Sequence, residues 1–177
     1  MIRRTSDRAL FLLQVLGLGG ALLTLGIAIV VGIRSSRDNL PKGDRSDGLV
    51  IKESAYSVEE TEQRLVTLLE EKDINVFATI DHEQNAKTVD LDLRPTKVVL
   101  FGNPMLGTPL MQCEQSIAID LPQKMLIWED EAGEVSLAYT DPSYLSRRHE
   151  LEGCGEEALE TIAGALNNFS EGALSGP

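Results

Sequence analysis

The sequence predicts an α+β domain preceded by one transmembrane helix, and three observations carry that prediction. Ser57-Val58-Glu59-Glu60 is a capping box that opens a segment with apolar residues at helical spacing. Lys124 to Glu129 and Glu134 to Thr140 have strand composition, and only Asp130-Glu131-Ala132-Gly133 joins them, as in a hairpin. Ala9 to Ile33 is a run of 25 residues without a charge. As a helix, such a run covers about 37 Å, more than the roughly 30 Å of a hydrocarbon layer.

The N-terminal flank, residues 1–8, is basic, and residues 9–33 follow it as the membrane segment. A cleaved secretory leader has a shorter apolar core and a small-x-small cleavage site, whereas this run ends in Val31-Gly32-Ile33-Arg34. An uncleaved, single-pass anchor is therefore expected. Arg3, Arg4 and Arg8 on one side nearly balance Arg34, Arg37, Lys42 and Arg45 on the other, so the charge rule assigns no side. Residues 34–48 are rich in Ser, Asp and Gly and read as a flexible linker. The globular body is expected over residues 49–171, the usual size of one domain, with residues 172–177 as a tail.

Within the body, Leu49-Val50-Ile51 opens a first strand that stays extended through Ala55-Tyr56. The capped helix follows, with Val58, Thr61, Leu65, Leu68 and Leu69 on one face. Asn75 to Ile80 and Lys97 to Phe101 are the next strands, separated by a polar stretch with room for one or two helical turns. Thr108-Pro109 reads as a cap and first helical residue, beginning a helix that buries Leu110, Ile117 and Leu121 and stops at Pro122. The hairpin comes next. Asp141-Pro142 starts a short helix through Arg148, and Leu159, Ile162, Leu166 and Phe169 mark a last amphipathic helix that frays at Glu171-Gly172. The order is β-α-β-(α)-β-α-β-β-α-α, which predicts a mostly antiparallel sheet with its helices mainly on one face.

Several stretches of the body resemble the domain of unknown function 302 family. The resemblance rests on Phe101-Gly102-Asn103-Pro104 with Gly107-Thr108-Pro109-Leu110-Met111, on Asp120-Leu121-Pro122 and on Trp128-Glu129-Asp130. It continues through Tyr139, Asp141-Pro142 and Leu145-Ser146-Arg147-Arg148-His149, with Ile80-Asp81-His82 at an earlier strand end. It implies a compact α+β fold and a homodimer; it implies no activity, and the anchor lies outside the family's core.

Charge narrows the function. Residues 49–177 hold nine basic against twenty-four acidic residues, a balance of −15, with no basic stripe, which excludes nucleic acid as a partner. Gly102 to Thr108 has the outline of a phosphate loop, but Thr108 stands where its lysine belongs, so nucleotide hydrolysis is excluded. Two readings stay open there: a small-anion site at Asn103, Gly107 and Thr108, or a tight turn needing glycine backbone freedom. His82 and His149 either share a site with Asp81, Asn103 or Glu129 or are held separately by structural hydrogen bonds. Arg147 and Arg148 complement a helix C-terminus or clamp an anion. Cys113 and Cys154 are too far apart for a Cys-x-x-Cys motif and can pair only in an oxidising compartment. Met105, Met111, Met125 and Trp128 read as core, with a small apolar pocket among them conceivable. No triad, zinc or dinucleotide motif is present, so no metal site is assigned and no cofactor is named. The leading expectation is a membrane-tethered, non-enzymatic module that binds a small ligand or a protein. The alternatives are an enzyme or metal- or cofactor-binding protein using both histidines, and an accessory subunit of a membrane complex.

Overall fold

A computed structural model describes residues 47–175. The expected transmembrane segment 9–33 and nearly all of the linker lie outside them, and no helix among the described residues is long and apolar enough to cross a membrane.

The elements appear in the order read from the sequence. They are β1 (Leu49–Ser54), α1 (Val58–Glu71), β2 (Asn75–Asp81), α2 (His82–Lys87), β3 (Thr96–Gly102) and α3 (Pro104–Cys113). A 3-10 turn (Gln115–Ile119) follows, then β4 (Gln123–Glu129), β5 (Val135–Thr140), α4 (Pro142–Arg148) and α5 (Glu156–Leu174). The five strands form one antiparallel sheet in the order β1-β5-β4-β3-β2.

Strand alternation sorts the side chains into two faces. Val99, Phe101, Met125, Ile127, Leu137 and Tyr139 point to the helical side and are buried with Leu65 and Leu69 of α1 and Ile162 and Leu166 of α5. Trp128 alternates with Ile127 and lies half-buried on the opposite face, so it is not part of the core expected from its size. Ser57 caps α1 as its motif requires, its hydroxyl accepting from the Glu60 amide at 3.1 Å.

Three helix boundaries differ from the sequence expectation. α5 does not fray at Glu171-Gly172 but runs to Leu174, and Ala173 is fully buried. The reason is remote in sequence: Arg64 of α1 donates from Nε to the Ala173 carbonyl at 2.9 Å and also reaches the Ser175 carbonyl, satisfying acceptors that a helix end leaves free. The helix expected to start at Thr108-Pro109 starts five residues earlier. Asn103-Pro104 is a cap-plus-proline pair in its own right, and the Asn103 side chain accepts from the Met105 amide at 2.9 Å. Pro109 then sits inside α3, where it cannot donate to the carbonyl four residues back. α3 stops at Cys113, and the rest of the expected helix is the 3-10 turn begun by Glu114.

Candidate functional site

The sequence-predicted residues fall into three places. Asn103, Gly107 and Thr108 border a cavity under α3; Arg147, Arg148 and His149 gather at the end of α4; His82 and Glu129 lie at the other end of the sheet. Strand register fixes the separation. Asp81, next to His82, pairs with Lys97, and Lys97 with Ile127 near the end of β4, whereas Asp120 precedes the start of β4 and α4 leaves the opposite end of β5. The two histidines are therefore not brought together, and of the two readings of them the shared site drops out.

His82 is exposed at the start of α2, where Asp81 is the cap and accepts from the Gln84 amide at 2.8 Å. Glu129 ends β4 beside a shallow acidic hollow with Glu53 and Glu134. No group of side chains able to hold a metal ion occurs among the described residues.

His149 is held by partners that the sequence did not single out. Its Nε2 lies 2.6 Å from Asp120 Oδ2 and its Nδ1 3.1 Å from Ser116 Oγ, with its side chain only 6% exposed. Arg148 reaches the other Asp120 oxygen at 3.4 Å, and Arg147 donates to Ser143 within its own helix. A hydroxyl, an imidazole and a carboxylate in this order resemble the nucleophile, base and orienting acid of acyl transfer. The donors for an oxyanion are missing, however. The Ser116 amide donates to Glu114 Oε1 and the Ile117 amide to the Glu114 carbonyl, so both neighbouring N–H groups are taken. The Ser116 amide, and then its hydroxyl, hold the Glu114 carboxyl below its ordinary value. The cluster ties α4 to the 3-10 turn. Arg147 and Arg148 lie in the last turn of α4, with Ser143 and Asp120 as their side-chain partners.

The anion reading of Gly102 to Thr108 is corrected by the same local geometry. With α3 starting at Pro104, the Leu106 and Gly107 amides both donate to the Asn103 carbonyl, at 3.0 and 3.1 Å, and the Met105 amide to its side chain. No cradle of free amides remains. Nor do Gly102 and Gly107 adopt positive φ; what they contribute is the absence of a side chain.

That absence borders a cavity of ≈ 330 Å³ between α3, α5 and the end of β3. Leu106, Gly107 and Met111 form the α3 wall, and Ile162, Leu166 and Phe169 the α5 wall. Phe101 stands at the base, edge-on to Phe169 with centroids 6.3 Å apart. Phe77 borders the opening. It is the extra residue of a bulge between Val76 and Ala78 and is 56% exposed. A Cβ on Gly102 would meet its ring at 3.4 Å, an ordinary van der Waals contact. The apolar pocket conceived among the methionines exists in different company: Met111 borders it, Met125 is core, and Met105 is 80% exposed.

Three polar residues, Asn103, Thr108 and Gln123, interrupt the apolar lining. Gln123 borders the cavity, and its Nε2 is buried with no hydrogen-bond partner among the described residues. Buried donors are nearly always paired, so this one singles out the cavity.

A disulfide between Cys113 and Cys154 fixes the two helical walls at one end, with Cα atoms 6.0 Å apart. Cys113 is the last residue of α3, and Cys154 precedes Gly155, the cap of α5.

Residues 50–169 match the family described as Domain of unknown function DUF302. The chain belongs to this family. A crystal structure of an uncharacterized conserved DUF302 protein from Bacillus stearothermophilus is similar with a TM-score of 0.64, over 71% of this chain and 98% of that one. At 16% identity the likeness is one of fold. Curated relatives of the DUF302 chain include a protein named Fluoride-specific ion channel FluC 1 from Brucella suis biovar 1, 39% identical over 128 residues, 71% of this chain and 50% of the relative. Another, named Fluoride-specific ion channel FluC 2, from Brucella melitensis biotype 1, is 39% identical over the same share of this chain and 47% of its own length. The chain thus spans about half the length of the curated relatives it matches.

Proposed function

We propose that this DUF302 domain is a non-enzymatic binding module, held at a membrane by residues 9–33, whose cavity takes a small apolar molecule carrying one hydrogen-bond acceptor. The observation that carries this is the cavity itself, apolar apart from Asn103, Thr108 and Gln123, of which the Gln123 amide nitrogen is buried with no partner among the described residues. Its volume lies at the small end of the range for ligand sites. The Cys113–Cys154 pair supports placing the body on the oxidising side of that membrane, the orientation left open by the flanking charges. The test is calorimetric titration of the full chain, kept soluble in an amphipol, with coumarin, a small neutral lactone that carries a carbonyl acceptor. We expect saturable, one-to-one binding that weakens at least tenfold in Gly107→Phe, where the new ring enters the cavity. Equal binding by the variant refutes the reading.

The curated relatives favour a second reading, in which the module is an accessory of a membrane assembly. They carry about as much chain again beyond the matched region and are named fluoride-specific ion channels. Conduction by the described body finds no support in its charge of −15 over residues 49–177, which repels anions. Native purification in mild detergent separates the cases: a larger complex supports the accessory role, and a lone homodimer argues against it.

A further inference from the structure

We infer that the ligand of the α3–α5 cavity is an uncharged medium-length acyl compound, an ester or amide with roughly eight to eleven non-hydrogen atoms inside, whose carbonyl oxygen accepts from the Gln123 amide. The inference rests on the binding reading above and adds its chemical class. Size, shape, charge and hydrogen bonding each remove alternatives.

The volume of ≈ 330 Å³, at about 30 Å³ per non-hydrogen atom in a liquid-like filling, admits about eleven such atoms. A long lipid tail or a multi-ring steroid does not fit. The shape follows from α5, whose Ile162, Ala165, Leu166 and Phe169 border the cavity at intervals of three, four and seven residues. They form one stripe along the helix, and seven residues rise about 10 Å. A stripe of that length with this volume leaves a slot roughly 6 Å across. An unbranched chain suits a slot better than a compact globular ligand.

No Lys, Arg, His, Asp or Glu borders the slot. A carboxylate or ammonium carried into it would lose its hydration without gaining a counter-charge, a penalty of several kcal/mol. Free fatty acids and amines are therefore rejected, and an uncharged head remains. The lining does ask for one acceptor. Gln123 Nε2 is a donor left without a partner, and its amide sits on a terminal torsion soft enough to turn toward the cavity. The other terminal amide at the cavity, that of Asn103, caps α3 through its oxygen, and its nitrogen is not among the buried groups left without a partner. A carbonyl oxygen supplies what Gln123 lacks; a hydrocarbon does not.

The experiment is a melting series on the full chain in an amphipol, since a ligand that binds only the folded state raises the melting temperature with its affinity. Methyl esters of six- to sixteen-carbon acids are compared with sodium decanoate and decane, and coumarin binding is measured alongside. We expect stabilisation to peak at acyl lengths of about eight to ten carbons, with methyl decanoate at least tenfold tighter than decanoate. In Gln123→Leu the ester should lose about tenfold while decane keeps its affinity, and Gln123→Met serves the same purpose if the leucine variant does not fold. A flat length profile, decanoate binding as well as the ester, or an unchanged ester affinity in the Gln123 variants overturns the acyl assignment while coumarin binding leaves the cavity reading intact. Loss of all binding, coumarin included, overturns both.

Discussion

Replacing Cys113 and Cys154 with serine together tests whether the disulfide is what holds α3 against α5. The crosslink joins positions 41 residues apart. Closing a loop of that length removes conformational entropy from the unfolded chain worth about 4 kcal/mol at 25 °C on the chain-entropy account. A body of about 130 residues unfolds with an entropy near 0.27 kcal/mol/K, so the double variant should melt about 15 °C lower. The native state adds a local effect. Gly155, next to Cys154, has φ of 74° and lies so close to Leu110 of α3 that a Cβ there would sit 2.7 Å from Leu110 Cδ2. The crosslink and this contact together set the spacing of the cavity walls. Circular dichroism melts of wild type and C113S/C154S, each with and without tris(2-carboxyethyl)phosphine, provide the assay. Reductant should bring wild type onto the variant curve and leave the variant unchanged. A shift below about 3 °C, or two titratable thiols in protein purified without reductant, would show that the pair does not link these helices in the native chain.

Four further outcomes follow from particular contacts. Leu166→Ala removes a side chain 1% exposed at the cavity wall and should destabilise by about 2–5 kcal/mol in urea melts. Asp120→Ala leaves His149 and Arg148 without their shared carboxylate and should cost about 1–3 kcal/mol, with no change in coumarin affinity. Gly155→Ala forces a left-handed residue and a close contact on Leu110, and should cost more than about 1 kcal/mol. Lys97 lies 2.7 Å from Glu62, whose hydrogen bond raises the lysine pKa against the opposing effect of burial. A raised folded value means that this contribution is complete below about pH 10 and lost as pH climbs through it. Urea melts of Lys97→Met should therefore differ from wild type equally at pH 7 and 9, with the gap closing at pH 11.

The parts of the fold that were legible in the sequence are those where a local pattern has one physical solution. Ser57 with Glu60, the four-residue hairpin connection and Asp141-Pro142 each satisfy backbone groups within a few residues, and the structure forms all three elements there. Thr108-Pro109 misled because it carries the same cap-plus-proline signature as Asn103-Pro104, and only one of two such pairs five residues apart can begin the helix. The end of α5 was illegible because Arg64, which satisfies it, lies on α1. Of the candidate site, Asn103, Gly107 and Thr108 border the cavity, although the reason given for them was anion binding. Gln123 carried no signal beyond being a polar residue at a strand start. Ser116 and Asp120 were invisible as partners of His149, since their meeting depends on tertiary contact between α4 and the 3-10 turn. Phe77 reaches the cavity mouth through a bulge, which no residue type in Asn75 to Asp81 announces.

The hollow under α3 calls for a physical explanation because a stable core tends to close such a space. Sealed and empty, ≈ 330 Å³ would cost about 8 kcal/mol at the rate measured for core truncations, comparable to the whole stability of a domain. The opening beside Phe77 relieves that by admitting water, but water then lies against a mostly apolar lining, with Asn103, Thr108 and Gln123 as its polar neighbours. Neither state is a good one. Two small changes would remove both: a side chain at Gly107, which has only Leu121 Cδ1 within 4 Å of its would-be Cβ, or a larger residue at Ala165. Gly107 is in the interior of α3, where glycine is also the worse helix former by about 1 kcal/mol relative to alanine. Filling the cavity with protein would thus be favoured twice over, by packing and by helix propensity. A bound apolar molecule that fills the same space and satisfies Gln123 accounts for a chain that leaves it open.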